Sequence, residues 1–152
     1  MHAPQTNTAV PGITRRCAAL AYDALLLAAL WFAVSALLLA LSGGWLAEPG
    51  RPMWLVYVLR AALLLVTGLF FGGFWTHGGQ TLGMRAWRLK LVSSADAGPV
   101  SWKQALLRLS GACLSAAALG IGFFWPLIDR ERRSWHDHLS GTHLVLVPVK
   151  KA

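Results

Sequence analysis

Residues 17–41, CAALAYDALLLAALWFAVSALLLAL, form an apolar run whose one formal charge is Asp23. At about 1.5 Å of rise per residue, a helix of that length reaches about 37 Å and more than crosses a hydrocarbon layer about 30 Å thick. The run is longer than the apolar core of a cleaved leader, about 7–15 residues, and further apolar runs follow it, so it reads as a retained span. A carboxylate within a span is costly, which marks Asp23 as a functional-site candidate by position alone. Arg16 stands seven residues earlier, close to two helical turns, so its guanidinium shares a face with that carboxylate.

Only 13% of the 152 residues are charged, against about 25% in a typical soluble domain, so lipid is the expected solvent for much of the surface. The formal charge of +8 raises the question of nucleic acid, but the basic residues sit at the ends of apolar runs. Anionic lipid headgroups are therefore the expected partner, and nucleic acid is not. Cys17 and Cys113 fall at or within apolar runs and make no CxxC pair, so they are read as small buried side chains.

The chain divides by composition into a polar tail, residues 1–14, and a membrane domain, residues 15–149. The tail is expected to be flexible. Spans are expected at about 17–41 and 53–75, joined by the turn-rich SGGWLAEPGRP (residues 42–52) with Trp45 and Trp54 as interfacial brackets. The second span contains Arg60, and its Gly68 and Gly72 have the spacing that admits a neighbouring helix. Trp87, Leu89 and Leu91 alternate with Arg88 and Lys90, the period of a strand, and THLVLVPV (residues 142–149) reads as a second one. Ser101 with Gln104 and Ser134 with Asp137 have the spacing of capping boxes. Between them lies a third apolar element, residues 102–128, with a small-residue stripe at Ala112, Ala116 and Gly120.

Lys and Arg concentrate before the first span, between the second span and the third element, and at the C-terminal end, while residues 42–52 hold Arg51 alone. The positive-inside rule thus places all three basic segments, the N-terminus included, in the cytoplasm. Three full crossings would put the C-terminal end outside. Gly120, Gly122 and Pro126 interrupt the third element, so the favoured reading is a broken helical hairpin with both ends cytoplasmic. The strands can pair only on one side, which agrees. Three plain crossings are the alternative.

Arg16 with Asp23, then GQTLGMR (residues 79–85), ALLR (residues 105–108) and RRSWHDHLSGTHLV (residues 132–145), resemble in order and spacing the RDD family of bacterial membrane proteins. The resemblance covers about residues 13–147 and implies that Arg16, Asp23 and Asp137 are the arginine and two aspartates of the family's name. Asp129 is a weaker candidate for the last. The family has no settled biochemical function, although transport is proposed and some relatives are linked to cation–proton exchange. The chain resembles a minimal module with nothing appended.

The expected fold is an all-α integral membrane protein, with two transmembrane helices, a broken third element and a small cytoplasmic β element. Asp23 lies about 10 Å along its helix from Arg16, and Arg108 about 9 Å along its own, so the two are expected to face one another, with Arg60 about 10 Å higher. Arg16, Asp23, Arg60, Arg108 and Asp137 form the expected buried polar network. It is either a proton- or cation-binding site titrating at Asp23 or a permanent lock between helices. His136, Asp137, His138 and His143 are ligand types, but their spacing matches no helix face, so no metal is expected. GQTLGMR is not a phosphate loop and reads as a membrane-surface turn. No nucleophile–base pair is present, so neither enzymatic activity nor a cofactor is expected. The function expected is a multi-pass inner-membrane transport module, which at this size implies a homo-oligomer. The alternative is a scaffold or accessory subunit for a partner membrane protein.

Overall fold

Two long apolar helices rise from a small polar base. A computed structural model describes residues 10–148, so residues 1–9 of the tail and Val149 of the second strand reading lie outside it. Helix α1, Ile13–Leu41, starts within the stretch expected to be tail, and its Ala- and Leu-rich sequence favours a helix throughout. It stops where Gly43 and Gly44 take positive φ and return their N–H groups to the carbonyls of Ala40 and Leu39. A single 3₁₀ turn, Trp45–Ala47, follows, and Pro52 precedes helix α2, Met53–His77. Both helices are long and apolar enough to cross a membrane. Their upper surfaces are bare: Leu25 is 73% exposed, Phe32 77% and Leu64 70%.

One hydrogen bond sets the pair's register. Trp31 Nε1 donates to Thr67 Oγ1 at 3.0 Å. The helices run antiparallel, so a step forward on α1 is a step back on α2, and Asp23 comes level with Trp75, near the end of α2. Arg60 comes level with Leu38. That separates Arg60 from Asp23 by about 22 Å along the axis, not 10 Å. Residues 24–41, free of charge, measure about 27 Å.

The base forms around residues 13–23 of α1. After α2 comes a short helix α3, Leu82–Ala86, capped by Thr81, and then strand β1, Leu89–Ser93. The strand starts two residues later than its alternation suggested, because Trp87 and Arg88 (φ 57°) complete the turn out of α3 and leave Trp87 exposed. β1 pairs antiparallel with β2, Thr142–Leu146, with Leu91 opposite Leu144. Ala19, Trp75, Met84, Leu89, Leu91, Val100, Ala105 and Leu144 make the core.

Between the strands runs the third apolar element. Helix α4, Trp102–Ala117, opens on the Ser101–Gln104 capping box. The chain breaks at Leu119 and Gly120, both of positive φ, and turns through 111° into α5, Ile121–Phe124, and a 3₁₀ turn, Trp125–Leu127. Helix α6, Trp135–Ser140, then leads into β2. Because β1 and β2 are paired, this excursion leaves and returns at one place. Gly72 of α2 receives Trp102, whose Cζ3 lies 2.6 Å from where a Cβ would stand, so the glycine pair serves packing within the chain. The small residues that admit the returning chain onto α4 are Gly111, with His136 Cα of α6 3.0 Å from its absent Cβ, and the fully buried Ser115, against Gly122 of α5. Ala112 and Ala116 instead face a cavity.

Candidate functional site

The two aspartates of α1 and α6 are both buried, and they are held by different chemistry. Asp137 is 0% exposed and sits at the third position of α6, in a capping box with Ser134. One carboxylate oxygen accepts from Arg16 Nη1 at 3.1 Å and from the Ser134 N–H at 2.9 Å. The other accepts from Arg108 Nη1. Arg16 also donates to the carbonyls of Arg132 at 2.9 Å and Pro11 at 3.3 Å. Arg108 donates to Thr142 Oγ1 at 3.0 Å and lies over the Trp75 ring, 5.3 Å from its centroid. Charge-assisted bonds of this kind are roughly twice as strong as neutral ones. Burial works to raise the Asp137 pKa, but the Arg108 guanidinium and the Ser134 N–H hold it below the ordinary carboxylate value.

Asp23 is 3% exposed and makes no ion pair among the described residues. Its Oδ2 accepts from the Thr81 hydroxyl at 2.5 Å and its Oδ1 from the Gly83 N–H at 2.8 Å. Thr81 in turn caps α3 by accepting from the Met84 N–H at 3.2 Å. GQTLGMR is therefore not a surface turn but the cradle of this carboxylate. Gly83 permits it: a Cβ there would run into the Ala19 carbonyl and stand 2.9 Å from the Asp23 carboxylate.

The structure thus brings together Arg16, Arg108 and Asp137, and does not pair Asp23 with Arg108. Equal travel along two helices did not imply facing directions, and Arg108 turns toward α6. Arg60 is exposed and outside the network, at the opposite end of the helix pair. Asp129 accepts from the Arg133 N–H at 2.8 Å and takes no part. His136 lies beside the Asp137 cluster, with its Nε2 4.0 Å from Asp137 Oδ1. Its Nε2 is 2.8 Å from Ser134 Oγ, its ring packs 5.2 Å from Phe123, and its Nδ1 is buried without a partner. Burial and the neighbouring Arg108 lower its pKa to about 3, so the ring is neutral at pH 7. His138 turns to Asp129 at 3.4 Å and His143 to Ser94 at 3.1 Å, so the ligand-type side chains diverge.

A cavity of about 320 Å³ lies between α1 and α4. Cys17 and Leu20 form one wall and Ala112, Cys113 and Ala116 the other, while Asp23, Thr81, Arg16, Arg108 and His136 also line it. Apolar walls with a few polar groups are the usual make-up of a small-molecule site. Counting Arg16, Arg108, Asp137 and Asp23 in ionised form, the site is neutral.

A family model described as the RDD family matches residues 10–141, which includes every residue of both clusters except Thr142. No curated protein and no solved structure matches the chain.

Proposed function

The chain belongs to the RDD family, and from that premise we propose that it is a multi-pass inner-membrane protein in which Asp23 exchanges a proton or a monovalent cation with the cavity while Asp137 is purely structural. The observation that carries this reading is the contrast between two buried carboxylates. Asp137 is neutralised by two arginines, whereas Asp23 has only a hydroxyl and an amide and opens on a cavity. A carboxylate without a permanent counter-cation is free to take up a proton or an ion; a doubly paired one is not. The N-terminus and the base lie in the cytoplasm, and the hydrocarbon layer begins just above Asp23, since residues 24–41 alone match its thickness. The carboxylate then stands at the floor of the membrane, where ions arrive from the cytoplasm.

The role is non-enzymatic, and transport by so small a module implies a homo-oligomer. The test is pH-driven cation flux in proteoliposomes with wild type beside Asp23→Asn. Flux in the wild type that the variant loses supports the reading; no flux from either folded protein refutes it. A second reading, a scaffold or accessory subunit, draws on Ala112 and Ala116, small residues left facing open space. A stoichiometric partner membrane protein captured through a crosslinker at Ala116→Cys supports that alternative, and capture of none counts against it.

A further inference from the structure

Helix α2 carries a second feature beside the level of Asp23. In its last turns Phe70 and Phe74 meet edge to face with centroids 5.1 Å apart. Gly73 beside them has nothing within 4 Å of where a Cβ would stand. With Leu69 they wall an apolar groove of about 400 Å³ that ends at His77, Gly78 and Arg85. Arg85 is exposed and takes part in none of the ion pairs among the described residues. The register of α1 against α2 sets residues 70–74 beside residues 24–28, the first charge-free turns of α1, and leaves Arg85 beyond the end of α2. The segment between α2 and α4 holds Arg85, Arg88 and Lys90 against Asp96 alone.

We propose that this groove seats an acyl chain of an anionic glycerophospholipid whose phosphate is bound by Arg85. The apolar part stands at the depth of the first methylenes and the guanidinium at the depth of the headgroup. Basic pockets on the cytoplasmic side of membrane helices bind such headgroups. A planar guanidinium grips phosphate oxygens in pairs, which a choline headgroup with its own cation offsets. Gly73 leaves the trough that a larger residue would fill. The inference rests on α1 and α2 being membrane spans and not on any exchange at Asp23.

Native mass spectrometry of the full chain in detergent, given phosphatidylglycerol and phosphatidylcholine in equal amounts, tests this. Wild type is expected to retain phosphatidylglycerol preferentially. Arg85→Gln should lower that retention about fivefold, the worth of one basic side chain at a membrane surface. Gly73→Leu should lower it as much while thermal unfolding in detergent stays unchanged. Inorganic phosphate at millimolar concentration should not displace the lipid. Equal retention of the two lipids, indifference to Arg85→Gln, or full displacement by phosphate overturns the proposal. Flotation with phosphatidylcholine vesicles separates the two failures. Protein that does not float refutes the membrane reading itself, whereas protein that floats without lipid preference refutes the groove alone.

Discussion

Asp137→Asn should damage this protein far more than Asp23→Asn, although both replace a buried carboxylate by its amide. At residue 137 one oxygen faces Arg108, and the other faces Arg16 and the Ser134 N–H. An amide turns one of those acceptors into a donor aimed at a donor, and it leaves two buried guanidiniums sharing no negative charge. Breaking a buried ion pair from one side costs about 3–5 kcal/mol. At residue 23 the amide oxygen still accepts from Gly83, and the amide nitrogen donates to Thr81 Oγ1, whose second lone pair keeps the Met84 N–H. Charge assistance is lost there, and the buried Thr81 O–H, which donated to the carboxylate, must turn to another acceptor, about 1–2 kcal/mol in all. At about 2–4 °C per kcal/mol for a chain of this size, the first variant melts at least some 6 °C lower and the second only a few degrees lower. The assay is thermal unfolding in detergent, followed by tryptophan fluorescence. Adding Arg16→Met to Asp137→Asn should recover part of the loss, since it removes one of the stranded charges. An Asp23→Asn protein that melts as low as Asp137→Asn would falsify the division of roles.

Three further outcomes follow from the geometry. Gly83→Ala should lower stability by about 1–3 kcal/mol because its methyl group pushes α3 off α1, whereas Gly73→Ala, which meets nothing, should be neutral or slightly stabilising; equal effects on the melting temperature would contradict the close approach. His136 is neutral in the folded protein with its pKa lowered to about 3, so the unfolded chain binds more protons between pH 6.5 and 3. Stability should therefore be complete above pH 6.5 and fall as the pH drops through that window, with a slope approaching about 1.4 kcal/mol per pH unit. Denaturant midpoints from pH 7 to pH 4 measure it, and His136→Gln should flatten the dependence. Asp96→Cys and Arg130→Cys should react with an impermeant maleimide from the same side of the membrane and Glu48→Cys from the other; labelling of Arg130→Cys with Glu48→Cys means that the third element crosses.

Much of the architecture was legible because it rests on local chemistry. The two apolar runs, the Ser101–Gln104 and Ser134–Asp137 boxes and the Gly120 break are written in consecutive residues, and each appears where the pattern put it. What depends on rotation was not legible. The positions of Asp23 and Arg108 along their helices can be counted from the sequence, but which way each side chain turns is fixed by α3 and α6. Helix α3 itself escaped notice because Thr81 is followed three residues later by Met84 rather than by Glu or Gln, so only half of a capping signature is present. The small residues of α4 come in adjacent pairs, Gly111 with Ala112 and Ser115 with Ala116. Spacing alone selects either row, and the row that packs is one position off the row expected.

The carboxylate at residue 137 also dictates when this molecule can be finished. It is 121 residues downstream of Arg16 and 29 downstream of Arg108. During synthesis at about 5–20 residues per second, Arg16 waits roughly 6–24 s for its acid. Until then Arg16, and Arg108 once it is made, stand without this counter-charge, and only α3 holds the foot of the first helix. A polypeptide that carries α4 but lacks α6 keeps both charges bare, so the arrival of one short helix decides between a closed molecule and one that proteases can recognise.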